Sequence, residues 1–167
     1  MTKAAGVKAF DREFKAKFEP LTKKLTDKLI KIIKAKIPVE IGAVNFEVEP
    51  DWRSFPIWVY ARDRNGRSSI PARAPLSGTL LKGTGPLVKW GEIDMDKYED
   101  AGIGTYERGA ALLISWFDLC WRAAGGKDFS RPAAINLHDS TDWFDLRARK
   151  WVNASKWCEG VREAPAE

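Results

Sequence analysis

The chain has little of the residue types that soft metals and redox chemistry use. Among 167 residues there are two cysteines, two methionines and one histidine. Cys120 and Cys158 are too few for a disulfide framework, and their separation gives no zinc-ligand spacing, so a reducing compartment is the default. With His138 as the lone imidazole, no tetrahedral zinc site can be read from the sequence. A phosphate-cradling loop is missing too. The glycines of "LSGTLLKGTGP" (Gly78, Gly83, Gly85) do not fit Gly-x-x-x-x-Gly-Lys-Ser/Thr, and Pro86 suits a turn better than a helix start. There is no Gly-x-Ser-x-Gly nucleophile elbow. No run of about 18 apolar residues exists to span a membrane. The opening "MTKAAGVKAFDREFK" lacks the apolar core of a secretory signal. The expectation is a cytoplasmic protein that uses no cofactor and no metal and is not an enzyme.

What is present is a basic N-terminus. Residues 1–37 carry eleven Lys/Arg against four Asp/Glu, a net +7, while the remaining 130 residues sum to −2. Basicity therefore belongs to one segment. That segment is helical by period: Val7, Phe10, Phe14, Phe18, Leu21, Leu25, Leu29 and Ile32 recur every three or four residues. Pro20 interrupts the stripe, because proline removes a backbone donor and clashes with the carbonyl four residues back. Two helices, or one kinked helix, are expected, with Pro20 near the start of the second and Lys17, Lys24, Lys28 and Lys31 on the outer face. Such lysines can lie along nucleic-acid phosphates or an anionic surface, but an amphipathic helix packed on a sheet leaves them in water with no partner at all.

Strands follow. Val44, Phe46 and Val48 alternate with Asn45, Glu47 and Glu49, and Phe55, Ile57, Val59 and Ala61 alternate with Trp58, Tyr60 and Arg62. Asn65-Gly66 reads as a two-residue hairpin turn into a third strand over 67–72. A long Gly/Pro/Leu-rich connection over 72–91 holds one short strand at Leu87–Trp90. A nearly all-apolar helix runs from Tyr106 to Ala124, with Thr105 as cap and Gly125-Gly126 as stop. Two short runs, Ala134–His138 and Trp143–Ala148, flank Asp139-Ser140-Thr141-Asp142, and a short helix over 154–163 follows, capped by Asn153. The whole predicts a single α+β domain over 1–167: N-terminal amphipathic helices on an antiparallel sheet, a second apolar helix, and a C-terminal hairpin, with 162–167 a flexible tail.

Two features bear on function. The stretch "NLHDSTDWFDL" gathers His138, Asp139, Ser140, Asp142 and Asp145. A hydrolase would pair Ser140 with His138 and Asp139 or Asp142, but nucleophile, base and orienter normally come from distant parts of the chain. Asp, Ser and Thr also cap backbone in turns, which explains the cluster without chemistry. The second feature is eight tryptophans. Trp58, Tyr60 and Arg62 share one strand face, and Trp143 sits in a polar, charged third of the chain. These residue types concentrate binding energy at protein interfaces, although a sheet covered on both sides would bury them equally well. The leading expectation is a non-enzymatic protein-binding module, most concretely an immunity protein that blocks a partner bacterial toxin. Its interface would use Trp58, Tyr60, Arg62, Asp139, Asp142, Trp143 and Asp145. The alternatives are a nucleic-acid or anionic-surface binder using the basic helix, and a hydrolase around His138.

Overall fold

The structure, a computed structural model, describes residues 3–49, 55–64, 87–88 and 93–163. The expected Asn65-Gly66 hairpin, the third strand over 67–72 and most of the 72–91 connection lie outside these residues. So does the end of the expected tail, but Arg162 and Glu163 close a helix instead.

Helix α1 spans Lys3–Phe18 and α2 spans Thr22–Ile33, joined by one 3-10 turn at Glu19–Leu21. Pro20 sits at the start of that turn, where its missing N–H is not needed, and Thr22 Oγ1 donates to the Glu19 carbonyl at 2.6 Å. The chain then forms β1 (Ile41–Val48), β2 (Ile57–Asp63), a single helical turn α3 (Asp96–Glu99), the long α4 (Thr105–Ala123), β3 (Ala133–Leu137), β4 (Asp142–Asp145), β5 (Lys150–Asn153) and α5 (Ala154–Glu163). Thr105 is the first helical residue of α4 rather than its cap. Its hydroxyl and N–H both bond Glu99 Oε1, which does the capping from one turn earlier. Gly125 stops α4 at φ +89°, a conformation that only glycine adopts without penalty. Asn153 Oδ1 accepts the Ser155 N–H at 3.1 Å and caps α5.

The five strands make one sheet in the order β2-β1-β3-β4-β5. Three neighbouring pairs are antiparallel. The central pair, β1 with β3, is parallel, running from Val44↔Ala133 to Val48↔Leu137. The expected hairpin is β3–β4, and β5 extends it by one strand beyond what the alternation indicated.

Helices α1, α2 and α4 lie on one face of this sheet and bury the main core. The N-terminal stripe supplies Phe10, Phe14, Phe18, Leu25, Leu29 and Ile32, all essentially inaccessible to solvent. Phe14 is its centre, with ring centroids 5.3 Å from Phe10, 5.5 Å from Phe18 and 5.2 Å from Phe55. From the sheet side Phe46 meets Phe117 and Trp121 of α4. Gly126 has to be glycine here, since a Cβ would stand 2.2 Å from the Trp121 ring. Polar contacts at the rim tie α1 to its neighbours: Asp11 pairs with Arg108 of α4, and Glu13 receives Lys97 at 2.8 Å and the Tyr98 hydroxyl at 2.6 Å from α3.

Because Phe14 touches three aromatic rings and has no exposed surface, Phe14→Ala leaves a cavity no neighbour can fill. It is expected to lower unfolding free energy by about 3–5 kcal/mol in urea denaturation. A loss below about 1 kcal/mol would show that α1 does not dock as described.

Candidate functional site

The other face of the sheet is built by the alternate residues. Strand β1 places Ala43, Asn45 and Glu47 there, with Glu49 next in line, and β3 adds Ala134, Asn136 and, just past its end, His138. Trp58, Tyr60 and Arg62 of β2 and Trp143 of β4 complete it. Helix α5 covers part of this face. Trp143 packs on Trp157, ring centroids 5.3 Å apart, with Val161, Ala43 and Ala134 around them. The Arg62 guanidinium lies 4.3 Å over the Trp143 ring. Asp145 anchors the arrangement: Oδ2 accepts Trp157 Nε1 at 3.1 Å, and Oδ1 accepts the backbone N–H of Arg147 and Ala148 in the β4–β5 turn.

This corrects one expectation. Trp143 and Tyr60 are each only 7% exposed and Trp58 and Arg62 are half-buried, so the face is not an open docking patch, and around Trp143 it is a second core. The reason is α5, an amphipathic helix whose apolar side chains need a surface and find it on Trp143. Asp145 holds a turn and a tryptophan, leaving only Asp139 and Asp142 of the expected interface acids exposed.

Beyond the reach of α5 the face becomes polar. Glu47 and Asn136 are direct partners in the β1–β3 register. His138 Nδ1 lies 2.5 Å from Glu47 Oε1, and its Nε2 lies 3.5 Å from Asp139 Oδ2. Asp139 occupies the left-handed region at φ 59°, which a short polar residue tolerates at a tight turn. The Tyr60 hydroxyl donates to Glu49 Oε1 at 2.7 Å. Glu47, Glu49 and His138 thus converge, their ligand atoms all within 4.8 Å of one another. The hydrogen bond that the His138 ring donates to the Glu47 carboxylate favours the protonated ring and raises the His138 pKa above its ordinary value. Below this cluster Asn45 is fully buried with neither side-chain polar atom bonded, and Asn136 Oδ1 is buried without a partner. Ser140 is not drawn to His138. Its hydroxyl donates to the Asp142 carbonyl at 2.9 Å and accepts the Asp142 N–H at 3.2 Å, a turn bond like those expected of this stretch.

On the helix-covered face, a groove of about 340 Å³ runs between α4 and the β4–β5 pair. Phe144 and Trp151 form its sheet wall, ring centroids 5.6 Å apart, and Ile114 and Leu119 its helix wall. Trp151 is 52% and Leu119 58% exposed. Asp118 is buried at the groove, one oxygen shared between Arg122 at 3.3 Å and Arg149 at 3.2 Å, the other without a partner. Arg149 reaches it from a positive-φ position (54°), a backbone cost of roughly 1–3 kcal/mol that this buried carboxylate helps to offset. Among the described residues strand β5 has a strand neighbour on one side only. The sequence gives no strong sign of this groove, since Trp151 lies in a short, charged run.

Of the expected basic face, Lys24 and Lys31 are exposed, and Lys17 and Lys28 are half-buried. Lys28 Nζ donates to the Leu87 carbonyl, and burial lowers its pKa, so it serves the fold at that point. No described helix is long and apolar enough to cross a membrane.

No family model matches the chain, and no curated protein or solved structure shows significant similarity to it.

The Glu47–His138 contact sets a pH dependence. A raised histidine pKa adds stability that is fully present below the unfolded value and is lost as pH rises through the folded value. NMR titration of the His138 ring is expected to give a pKa above 6.5, and Glu47→Gln is expected to lower it. A ring titrating below 6.5 in the wild type would contradict the contact.

Proposed function

We propose that this chain is a non-enzymatic protein-binding module, most concretely an immunity protein that neutralises a partner bacterial toxin by occlusion. The observation that carries the reading is the pairing of Leu119 and Trp151, both more than half exposed, on opposite walls of one groove. Single exposed apolar residues are ordinary on protein surfaces. Two large ones facing each other, beside half-buried Phe144 and an unfilled strand edge, suit an inserted apolar side chain from another protein. The surroundings narrow the partner's chemistry. Arg122 and Arg149 line the groove and are exposed. They favour an acidic rim on the partner, and rim charges of this kind steer encounter more than they add affinity. Tryptophan at the centre of such a contact commonly contributes about 2 kcal/mol or more.

The reading is tested by co-purification with a toxin domain encoded beside this chain, followed by calorimetry on the complex. Leu119→Asp combined with Trp151→Ala is expected to weaken binding at least about 30-fold, with the circular dichroism spectrum unchanged. Lys24→Glu with Lys31→Glu is expected to change affinity by less than about threefold if the basic helix stays outside the contact. Loss of binding from the lysine pair with none from the groove pair would move the interface to α2 and overturn the proposal.

A further inference from the structure

We propose that Glu47, Glu49 and His138 form a binding site for one divalent transition-metal cation, and that zinc is the ion their donor set fits. The site lies on the face of the sheet opposite the Leu119–Trp151 groove and does not depend on the protein-binding reading.

The donors come from the two central strands in parallel register. Glu47 and Glu49 are two apart on the chain of β1, hence on one face. Val48 pairs with Leu137, and the His138 N–H continues the ladder by donating to the Val48 carbonyl at 2.8 Å, which carries the imidazole to the same face beside both carboxylates. Their ligand atoms lie within 4.8 Å of one another. Donors bound to one zinc at about 2.0–2.2 Å stand roughly 3.4 Å apart in a tetrahedron, so side-chain rotation alone closes the set. Neutral imidazole with two carboxylates leaves two negative charges for a dication to balance. Nitrogen among the ligands favours zinc over calcium or magnesium, which prefer oxygen alone.

The surroundings are those a metal site needs. Zinc-bound histidines usually have their second nitrogen held by a carboxylate, and ligating carboxylates are usually hydrogen-bonded in turn. Here Asp139 faces Nε2 of His138, and the Tyr60 hydroxyl holds Glu49. An independent sign is Asn136. It is 3% exposed and stands directly beside Glu47 in the register, and its Oδ1 has no partner. Asn45, two residues before Glu47 on the same face, is fully buried with both polar atoms unbonded. Buried amides without partners are rare unless a ligand, ion or water serves them. Three protein ligands leave a fourth position on zinc for water.

Calorimetric titration of the full chain with zinc chloride tests the proposal. One zinc per chain is expected, with His138→Ala and Glu49→Gln each weakening binding tenfold or more, and Cys158→Ser leaving it unchanged. Glu49→Gln keeps the side-chain shape, so its effect is not one of folding. Calcium at the same concentrations is expected to give no comparable heat. Absence of one-to-one zinc binding by the wild type, or binding that survives both ligand substitutions, would overturn the proposal.

Discussion

Everything in this fold depends on the parallel pairing of β1 with β3 at the centre of the sheet. A central strand with layers on both sides must satisfy two surfaces at once, and β1 does so by alternation. Val44, Phe46 and Val48 face α1, α2 and α4, while Ala43, Asn45 and Glu47 face the other way. Over β1 the first surface is fully buried. Helices α1 and α4 bring in aromatic rings from Phe10 to Trp121 and α2 adds Leu25, Leu29 and Ile32, and the ion pairs at the edge are accessories to that burial.

The second surface is covered only in part, and this inequality shapes the chemistry. Helix α5 has ten residues, a rod about 15 Å long, too short to roof five strands. Where it reaches, the sheet presents Trp143, Ala43 and Ala134. Where it does not, the same strands present Asn45, Glu47, Asn136 and His138. The polar cluster is therefore built into the regular strand pattern. It stays organised because Tyr60, Asp139 and the strand register hold its members in place. The Leu119–Trp151 groove has a related origin. Among the described residues strand β5 ends the sheet, and Trp151 on it and Leu119 on α4 stay more than half exposed on the two walls of the groove.

Local order was readable from the sequence where it obeys a local rule. The stripe from Phe10 to Ile32 has a 3.6-residue period, Pro20 can only break it, and Gly125 and Asn153 carry the backbone demands of helix ends. The β3–β4 turn follows from the capping side chain of Ser140, which bonds the Asp142 backbone. What stayed hidden depends on long-range placement. Glu47 and His138 lie 91 residues apart, and Glu47 read as the solvent side of an ordinary half-buried strand. Alternation shows that Trp58, Tyr60 and Trp143 point away from the first core, but not that a later helix lies over Trp143. Strand β5 offers four residues with one apolar position turned inward, too little period to register, so Trp151 gave no sign of its exposure. The parallel pairing itself has no local signature, because the crossover between β1 and β3 passes through β2, α3 and α4.

The most direct test of how the two faces divide their roles is hydrogen–deuterium exchange of the full chain, alone and with the toxin domain proposed as its partner. Protection is expected over residues 111–122 and 149–153, where the groove and the β5 edge lie, with no change over 45–49 and 136–139. Protection confined to α2, or spread across the polar face with none at β5, would contradict the account.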